Sequence, residues 1–249
     1  MPDGVGAFFF AECDSTNALA GSLARKGEAG PIWVCAGVQT AGRGRRGRIW
    51  TSEPGNLYTS LMFRPNLKPT ELSALPFIVA LAIRDTFIAL GADPERTRCK
   101  WPNDVLLDEK KASGVLIESS ARNAETLDYV VVGIGMNLLH FPHEAVFEAT
   151  SLKDAFGKLV QPRDALPILA GNMVDRLNNW NIYSFTSIAQ EWINVSWGLG
   201  QRREIRTATE TFVGVLESLS NDGGIIVRLD DGTEKRLYAG DIFPVDRSE

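Results

Sequence analysis

Four arginines and three glycines crowd into seven residues, Gly42-Arg43-Gly44-Arg45-Arg46-Gly47-Arg48, and no acid interrupts them. Glycine admits positive φ and lets backbone approach a ligand closely, while guanidinium groups match carboxylate and phosphate oxygens with paired donors. The chemistry indicated is anion binding; the ordinary alternative is a solvated charged loop. The stretch also satisfies GxGxxG, but a dinucleotide fingerprint needs a helix directly after its glycines and an acid about 20 positions on. Trp50, the turn Pro54-Gly55 and a strand pattern follow instead.

A second cluster is Lys100-Trp101-Pro102-Asn103-Asp104, followed by Lys110-Lys111 and Gly114. Pro102 favours an extended turn, placing Asn103 and Asp104 at a strand end, where Asp104 can hold Mg²⁺. Lys110 and Lys111, at a hairpin tip, read ordinarily as solvated surface residues. A third cluster, Gly133-Ile134-Gly135-Met136-Asn137, ends an apolar strand with two glycines and suits close approach of a ligand or of another backbone. His140 and His143 lack the cysteine or acidic neighbours of a zinc site and read as surface-loop residues. The sequence contains no G-x-S-x-G elbow, the usual mark of a serine hydrolase.

Elements must position these clusters. Phe8 to Cys13, Ile32 to Val38, Leu57 to Phe63 and Tyr129 to Ile134 read as strands, and Asp14-Ser15-Thr16-Asn17 offers N-caps for a helix through Leu19 and Leu23. A long helix begins at Thr70-Glu71 and stops at Gly91 as an αL cap. Val105-Leu106-Leu107 and Gly114 to Glu118 form a hairpin whose charged tip is Asp108 to Lys111. The stripes Leu166, Leu169, Met173, Leu177, Trp180 and Phe185, Ile188, Trp192, Ile193 predict two amphipathic helices. Beyond Gly198-Leu199-Gly200 the texture becomes short strands, Phe212 to Leu216, Ile225 to Leu229 and Lys235 to Tyr238, with Asn221 to Gly224 and Asp231-Gly232 as turns. The organisation expected is a main domain over 1–199 and a small all-β domain over 200–249.

At 249 residues with 44% hydrophobic and 23% charged side chains, the chain is globular in composition and long enough for a sizeable core. Twenty-six basic against 31 acidic residues give −5, which disfavours a general polyanion binder and confines any phosphate site to a local patch. Cys13, Cys35 and Cys99 form no CxxC or paired framework, which suits a reducing compartment. No signal peptide pattern opens the chain, and the most apolar window, Ala74 to Ile83, is short of the ~20 residues of a membrane span, so a cytoplasmic location is expected.

Taken in order, Ser15-Thr16-Asn17, GRGRRGRIW, KWPNDVLLDEKKASGVLIE and GIGMN resemble the biotin protein ligase family, in the form without an N-terminal DNA-binding domain. The resemblance runs from about Phe8 to the end. It implies an α+β fold: a mixed-sheet, class II synthetase-like biotin/lipoate ligase domain with a small C-terminal SH3-like barrel. It also implies ATP-dependent formation of biotinyl-5′-adenylate and transfer of biotin to one lysine of a biotin carboxyl carrier domain of acetyl-CoA or a related carboxylase, with Mg²⁺. By matching positions, Lys111 and Arg45 are the catalytic candidates. Ser15, Thr16, Asn17, Gln39, Gly42, Arg43, Gly44, Arg45, Lys111 and Gly114 would serve biotin. Arg45, Arg48, Trp50, Lys100, Asn103 and Asn137 would serve ATP or the adenylate, and Asp104 is the metal candidate. Only fourteen residues precede Ser15, too few for a helix-turn-helix domain, so no operator DNA and no membrane are expected as partners. Monomer and homodimer both suit the family.

Two rivals remain at this level. A lipoate or octanoate ligase shares the fold and the lysine, although the GRGRRG and KWPND pair favours biotin. A single-stranded nucleic-acid binder can also combine a basic loop with a small barrel, but the chain is acidic and its C-terminal region has no evident row of aromatics.

Overall fold

The computed structural model describes residues 5–180 and 185–245. In chain order its elements are β1 (Gly6–Cys13), α1 (Thr16–Arg25), β2 (Ile32–Gln39), β3 (Leu57–Phe63), α2 (Leu75–Ala89), β4 (Thr97–Lys100), β5 (Asp104–Leu107), β6 (Lys110–Asn123) and β7 (Thr126–Met136). Helices α3 (Leu152–Phe156), α4 (Pro162–Asn179) and α5 (Phe185–Asn194) follow, then β8 (Arg202–Arg206), β9 (Thr211–Leu219), β10 (Ile225–Arg228), β11 (Glu234–Leu237) and β12 (Asp241–Pro244). The first seven strands form one mixed sheet in the order β1-β2-β3-β7-β6-β5-β4, in which only β1 and β2 run parallel. The last five form an antiparallel sheet ordered β11-β10-β9-β8-β12, the SH3-like barrel of the C-terminal domain.

Period-two alternation assigns each face of the large sheet its own core. Val34, Met62 and Val131 pack under Ala20 and Ala24 of α1, while Trp33, Cys35, Leu61, Val130 and Val132 face α2 and α4. Ile205, Leu216, Ile225, Val227 and Ile242 of the C-terminal sheet join that second core, so the two sheets share one apolar interior. Cys13, Cys35 and Cys99 are free thiols.

Several boundaries differ from the sequence reading for identifiable reasons. A 3₁₀ turn, Pro69–Ala74, precedes α2, which therefore begins at Leu75 rather than at Thr70. The helical run Pro69–Ala89 is, at 21 residues, long and apolar enough to cross a membrane by length and composition, longer than Ala74 to Ile83 suggested; 61% of its most apolar window is buried inside this fold. The hairpin tip is only Asp108-Glu109, both at positive φ (50° and 64°), and Arg96 braces it through Asp108. Lys110 and Lys111 consequently open strand β6 instead of belonging to the turn. β4, β8 and β12 lack strong period-two apolar patterns and are drawn into strand geometry by their neighbours.

Candidate active site

The C-terminal end of β1 delivers the chain to Ser15, whose hydroxyl accepts from Ala18 N–H at 3.4 Å as the N-cap of α1. The helix start then turns its polar residues onto the sheet. Thr16 N–H and Oγ1–H both donate to Gln39 Oε1, at 2.8 and 3.1 Å. Ser60 Oγ lies 2.7 Å from Thr16 Oγ1 and 2.6 Å from Asn17 Oδ1. Asn17 Nδ2 donates to Leu116 O at 3.2 Å and to Glu118 Oε2 at 2.8 Å. Thr16, Asn17 and Ser60 are buried, so this is a desolvated, internally satisfied polar end for a ligand. Gly133 is required beneath it, because a Cβ there would lie 2.2 Å from Asn17 Oδ1.

The arginine-rich stretch forms a small hairpin over the cleft. Trp50 N–H donates to Gly42 O at 3.0 Å, Gly44 N–H donates to Arg48 O at 2.7 Å, and Arg46 (φ 55°) and Gly47 (φ 74°) turn the chain between them. No helix follows these glycines, so the dinucleotide reading is excluded structurally as well. The Trp50 ring descends onto glycines: a Cβ on Gly135 would stand 2.5 Å from it, and one on Gly114 2.9 Å. Its indole Nε1 is buried without a partner, an orphaned donor within the cleft.

Opposite the hairpin stand the lysines. Lys111 Nζ lies 2.7 Å from Asp104 Oδ1 without the alignment of a hydrogen bond, and 5.6 Å from the Trp50 ring centroid. Charge rather than direction holds this ammonium, leaving its donors free to turn toward a ligand. Lys100 Nζ is 3.8 Å from Asp104 Oδ2 and 4.1 Å from the Phe147 ring centroid, and burial pulls it down to about 8. Arg45 donates to Asn103 Oδ1 at 3.2 Å, and Asn103 Nδ2 donates to Val115 O at 2.5 Å. Burial lowers Arg45 below the usual arginine range, and Asp104 opposes that shift. Arg48 is raised chiefly by its hydrogen bonds with Asp241, a residue of the C-terminal sheet that also lies 3.6 Å from Arg46. Burial works against the Asp241 carboxylate, but Arg48 outweighs it and holds the group low.

One cleft therefore gathers Ser15, Thr16, Asn17, Gln39, Arg43, Gly44, Arg45, Arg48, Trp50, Lys100, Asn103, Asp104, Lys111 and Gly114. Two residues of the expected set stand apart from its lining. Gly42 packs against the Trp50 carbonyl, where a Cβ would meet it at 2.5 Å, and so shapes the hairpin. Asn137 is 4% exposed, and its Nδ2 donates to Thr150 O at 3.0 Å, which makes it a strut beneath the β7 end. His140 and His143 are exposed loop residues, and no three His, Cys, Asp or Glu converge as a metal site among the described residues. Asp104 has two lysines on its carboxylate and does not fit as a metal ligand in this arrangement. Sequence reasoning missed Ser60, Glu118 and Asp241. Ser60 had a faint signal as a hydroxyl inside an apolar strand; Asp241 had none, because only the packing of the two sheets brings it to the arginines.

A family model described as the biotin/lipoate A/B protein ligase family matches residues 10–137, and one described as the biotin protein ligase C-terminal domain matches residues 198–243. The biotin–[acetyl-CoA-carboxylase] ligase of Paracoccus denitrificans is 36% identical over 94% of this chain and 98% of its own length. A biotin protein ligase of Aquifex aeolicus, solved with biotin and ATP, superposes with a TM-score of 0.79 at 29% identity, covering 95% of this chain and 97% of that one. The Leishmania major ligase solved with biotinyl-5-AMP aligns with a TM-score of 0.68 at 29% identity over 96% of this chain and 100% of that one.

Proposed function

From the premise that the chain belongs to the biotin/lipoate A/B protein ligase family, we propose how the cleft performs the two steps of that chemistry. The protein is an ATP-dependent biotin protein ligase. The C-terminal biotin ligase domain sets it apart from the lipoate and nucleic-acid readings. The single observation that carries the site assignment is the union, in one cleft, of a buried neutral polar end with a set of six cations, Arg43, Arg45, Arg46, Arg48, Lys100 and Lys111.

Those two halves match the two ends of the problem. A neutral, hydrogen-bonding head group suits the Ser15, Thr16, Asn17 and Gln39 end, where a ligand that displaces the internal hydrogen bonds must replace them or leave buried groups unpaired. At the other end a carboxylate oxygen attacks the α-phosphorus of ATP; the bond from that phosphorus to the bridging oxygen breaks, and pyrophosphate leaves. Two anions must be brought together, so pre-placed cations are the principal requirement. Lys111 and Arg45 are assigned to the reacting carboxylate and phosphate, Lys100 and Arg48 to the remaining phosphate charge, and Trp50 to covering the adenylate. Mg²⁺ is assigned to the triphosphate itself rather than to Asp104, since that carboxylate is already neutralised by lysines.

In the second step a lysine amine of a carrier domain attacks the acyl carbon, the acyl–oxygen bond breaks, AMP departs, and the amine proton passes to solvent. The acceptor is a biotin carboxyl carrier domain of acetyl-CoA carboxylase or a related carboxylase, and the enzyme acts in the cytoplasm, as monomer or homodimer, without operator DNA. The domain boundary is assigned near residue 200. Incubating the protein with labelled biotin, ATP and a purified carrier domain tests this reading: label on one lysine supports it, and label retained as free adenylate with no transfer contradicts it.

A further inference from the structure

Beside the catalytic cleft lies a second groove, bounded by Phe77 of α2, Trp101-Pro102, Ile117 of β6 and, from the C-terminal domain, Asp222 and Tyr238. It adjoins the cleft: Arg45, Arg46 and Asn103 line both. Beyond those shared residues, the groove has no part in the adenylation step assigned above.

Its charge distribution differs from that of the cleft. An acceptor lysine arrives as an ammonium, and in the cleft it meets six cations against the carboxylates of Asp104 and Asp241. The groove holds only the two shared arginines, and both are engaged: Arg45 on Asn103 and Arg46 beside Asp241. At its outer end stands Asp222, which accepts from Ser220 Oγ at 2.5 Å and from Tyr238 Oη at 2.6 Å, with Arg236 4.0 Å away. The Ser220 hydrogen bond, then that of Tyr238, hold the carboxyl down at about 2, so it is anionic at every working pH. Tyr238 is 56% exposed on the groove, while Trp101 and Phe77, almost wholly buried, contribute to its wall. An exposed tyrosine and a fixed carboxylate attract an ammonium, while the apolar walls accept the side chains that flank it.

We propose that this groove is the docking track of the acceptor protein, taking a lysine-bearing segment with apolar flanks past Asp222 and Tyr238 to the acyl carbon. The inference rests on the ligase reading and adds to it the surface that selects the protein substrate. The C-terminal domain thereby contributes to acceptor choice through Asp222 and Tyr238, which stand outside the lining of the catalytic cleft.

The test is steady-state transfer to a purified carrier domain of an acetyl-CoA carboxylase, with Tyr238→Ala, Asp222→Asn and the double variant of the full chain. Asn keeps the hydrogen-bond acceptor of the turn while removing its charge. Expected are a rise in acceptor KM of about tenfold for Tyr238→Ala and about threefold for Asp222→Asn, of the size of an exposed aromatic anchor and a rim charge. Biotin-dependent pyrophosphate exchange and consumption of the adenylate by hydroxylamine, a nucleophile too small to need docking, should stay unchanged. Acceptor KM within twofold of wild type in all three variants overturns the proposal. So does a parallel loss of pyrophosphate exchange, which would place the groove in the small-molecule site. Absence of exchange in the wild type would instead remove the ligase reading itself.

Discussion

Replacing Lys100 by methionine should make the protein more stable and a poorer enzyme at the same time. Lys100 is 4% exposed, and although the Phe147 ring at 4.1 Å attracts its ammonium, the carboxylate partner stands only at 3.8 Å, so burial outweighs the compensation. Burial lowers it from 10.5 to about 8. At about 1.36 kcal/mol for each tenfold change in proton affinity, that gap corresponds to a destabilisation of ~3 kcal/mol in the charged state. Below pH 8 the amine is protonated in both folded and unfolded chains, and the full cost is present. Between about 8 and 10.5 the unfolded chain keeps a proton that the folded chain releases, so wild-type stability rises with pH; above that window the cost is gone. Methionine fills similar volume without charge, and Asp104 retains Lys111 at 2.7 Å. Urea unfolding should therefore find Lys100→Met more stable by up to ~3 kcal/mol at pH 7, by about half of that near pH 9, and equal to wild type above the window. The wild-type KM for ATP should rise as pH passes about 8, whereas the variant should show a KM raised roughly tenfold at pH 7 and flat with pH. A variant no more stable than wild type, or a stability difference constant from pH 7 to 10, would refute the assignment of Lys100 as a charge held for the nucleotide at a cost to the fold.

Other substitutions separate the remaining parts of the site. Lys111→Ala should slow single-turnover adenylate formation by about 10²–10³-fold, the loss expected when one charge at the reacting centre is removed. Gly133→Ala places a methyl 2.2 Å from Asn17 Oδ1 and should cost ~1–3 kcal/mol, raising the KM for biotin far more than that for ATP. Asp241→Asn removes the carboxylate that holds Arg48 and Arg46; because Arg48 is half exposed, thermal unfolding should shift little, while dissociation of bound adenylate should quicken several-fold in a filter assay.

The legible and illegible parts of this molecule divide along a physical line. Strands such as β2, β3 and β7 announce themselves through β-branched residues, and α4 and α5 through their apolar stripes, because each buries a face against its nearest layer. The arginine loop was visible as a density of one residue type that demanded a ligand, whereas Lys111 stood out only through the family likeness. Their convergence with Ser15 to Asn17 followed only from a family likeness, since nothing in the spacing tells that β6 pairs with β7 and reaches Asn17 at the start of α1. β12 was invisible because four residues carry no periodicity, and with it went Asp241, whose partner lies 193 positions away. Asn137 shows a related limit: a polar residue after a glycine-rich strand end reads as a ligand contact, while its amide nitrogen here bonds Thr150 O outside the cleft lining.

Biotin-dependent exchange of labelled pyrophosphate into ATP tests the central claim most directly, run in parallel with lipoate and octanoate on the same folded preparation. Exchange with biotin alone is the predicted result, because the buried polar end is built for a neutral hydrogen-bonding head. Exchange supported by lipoate or octanoate but not by biotin would contradict it.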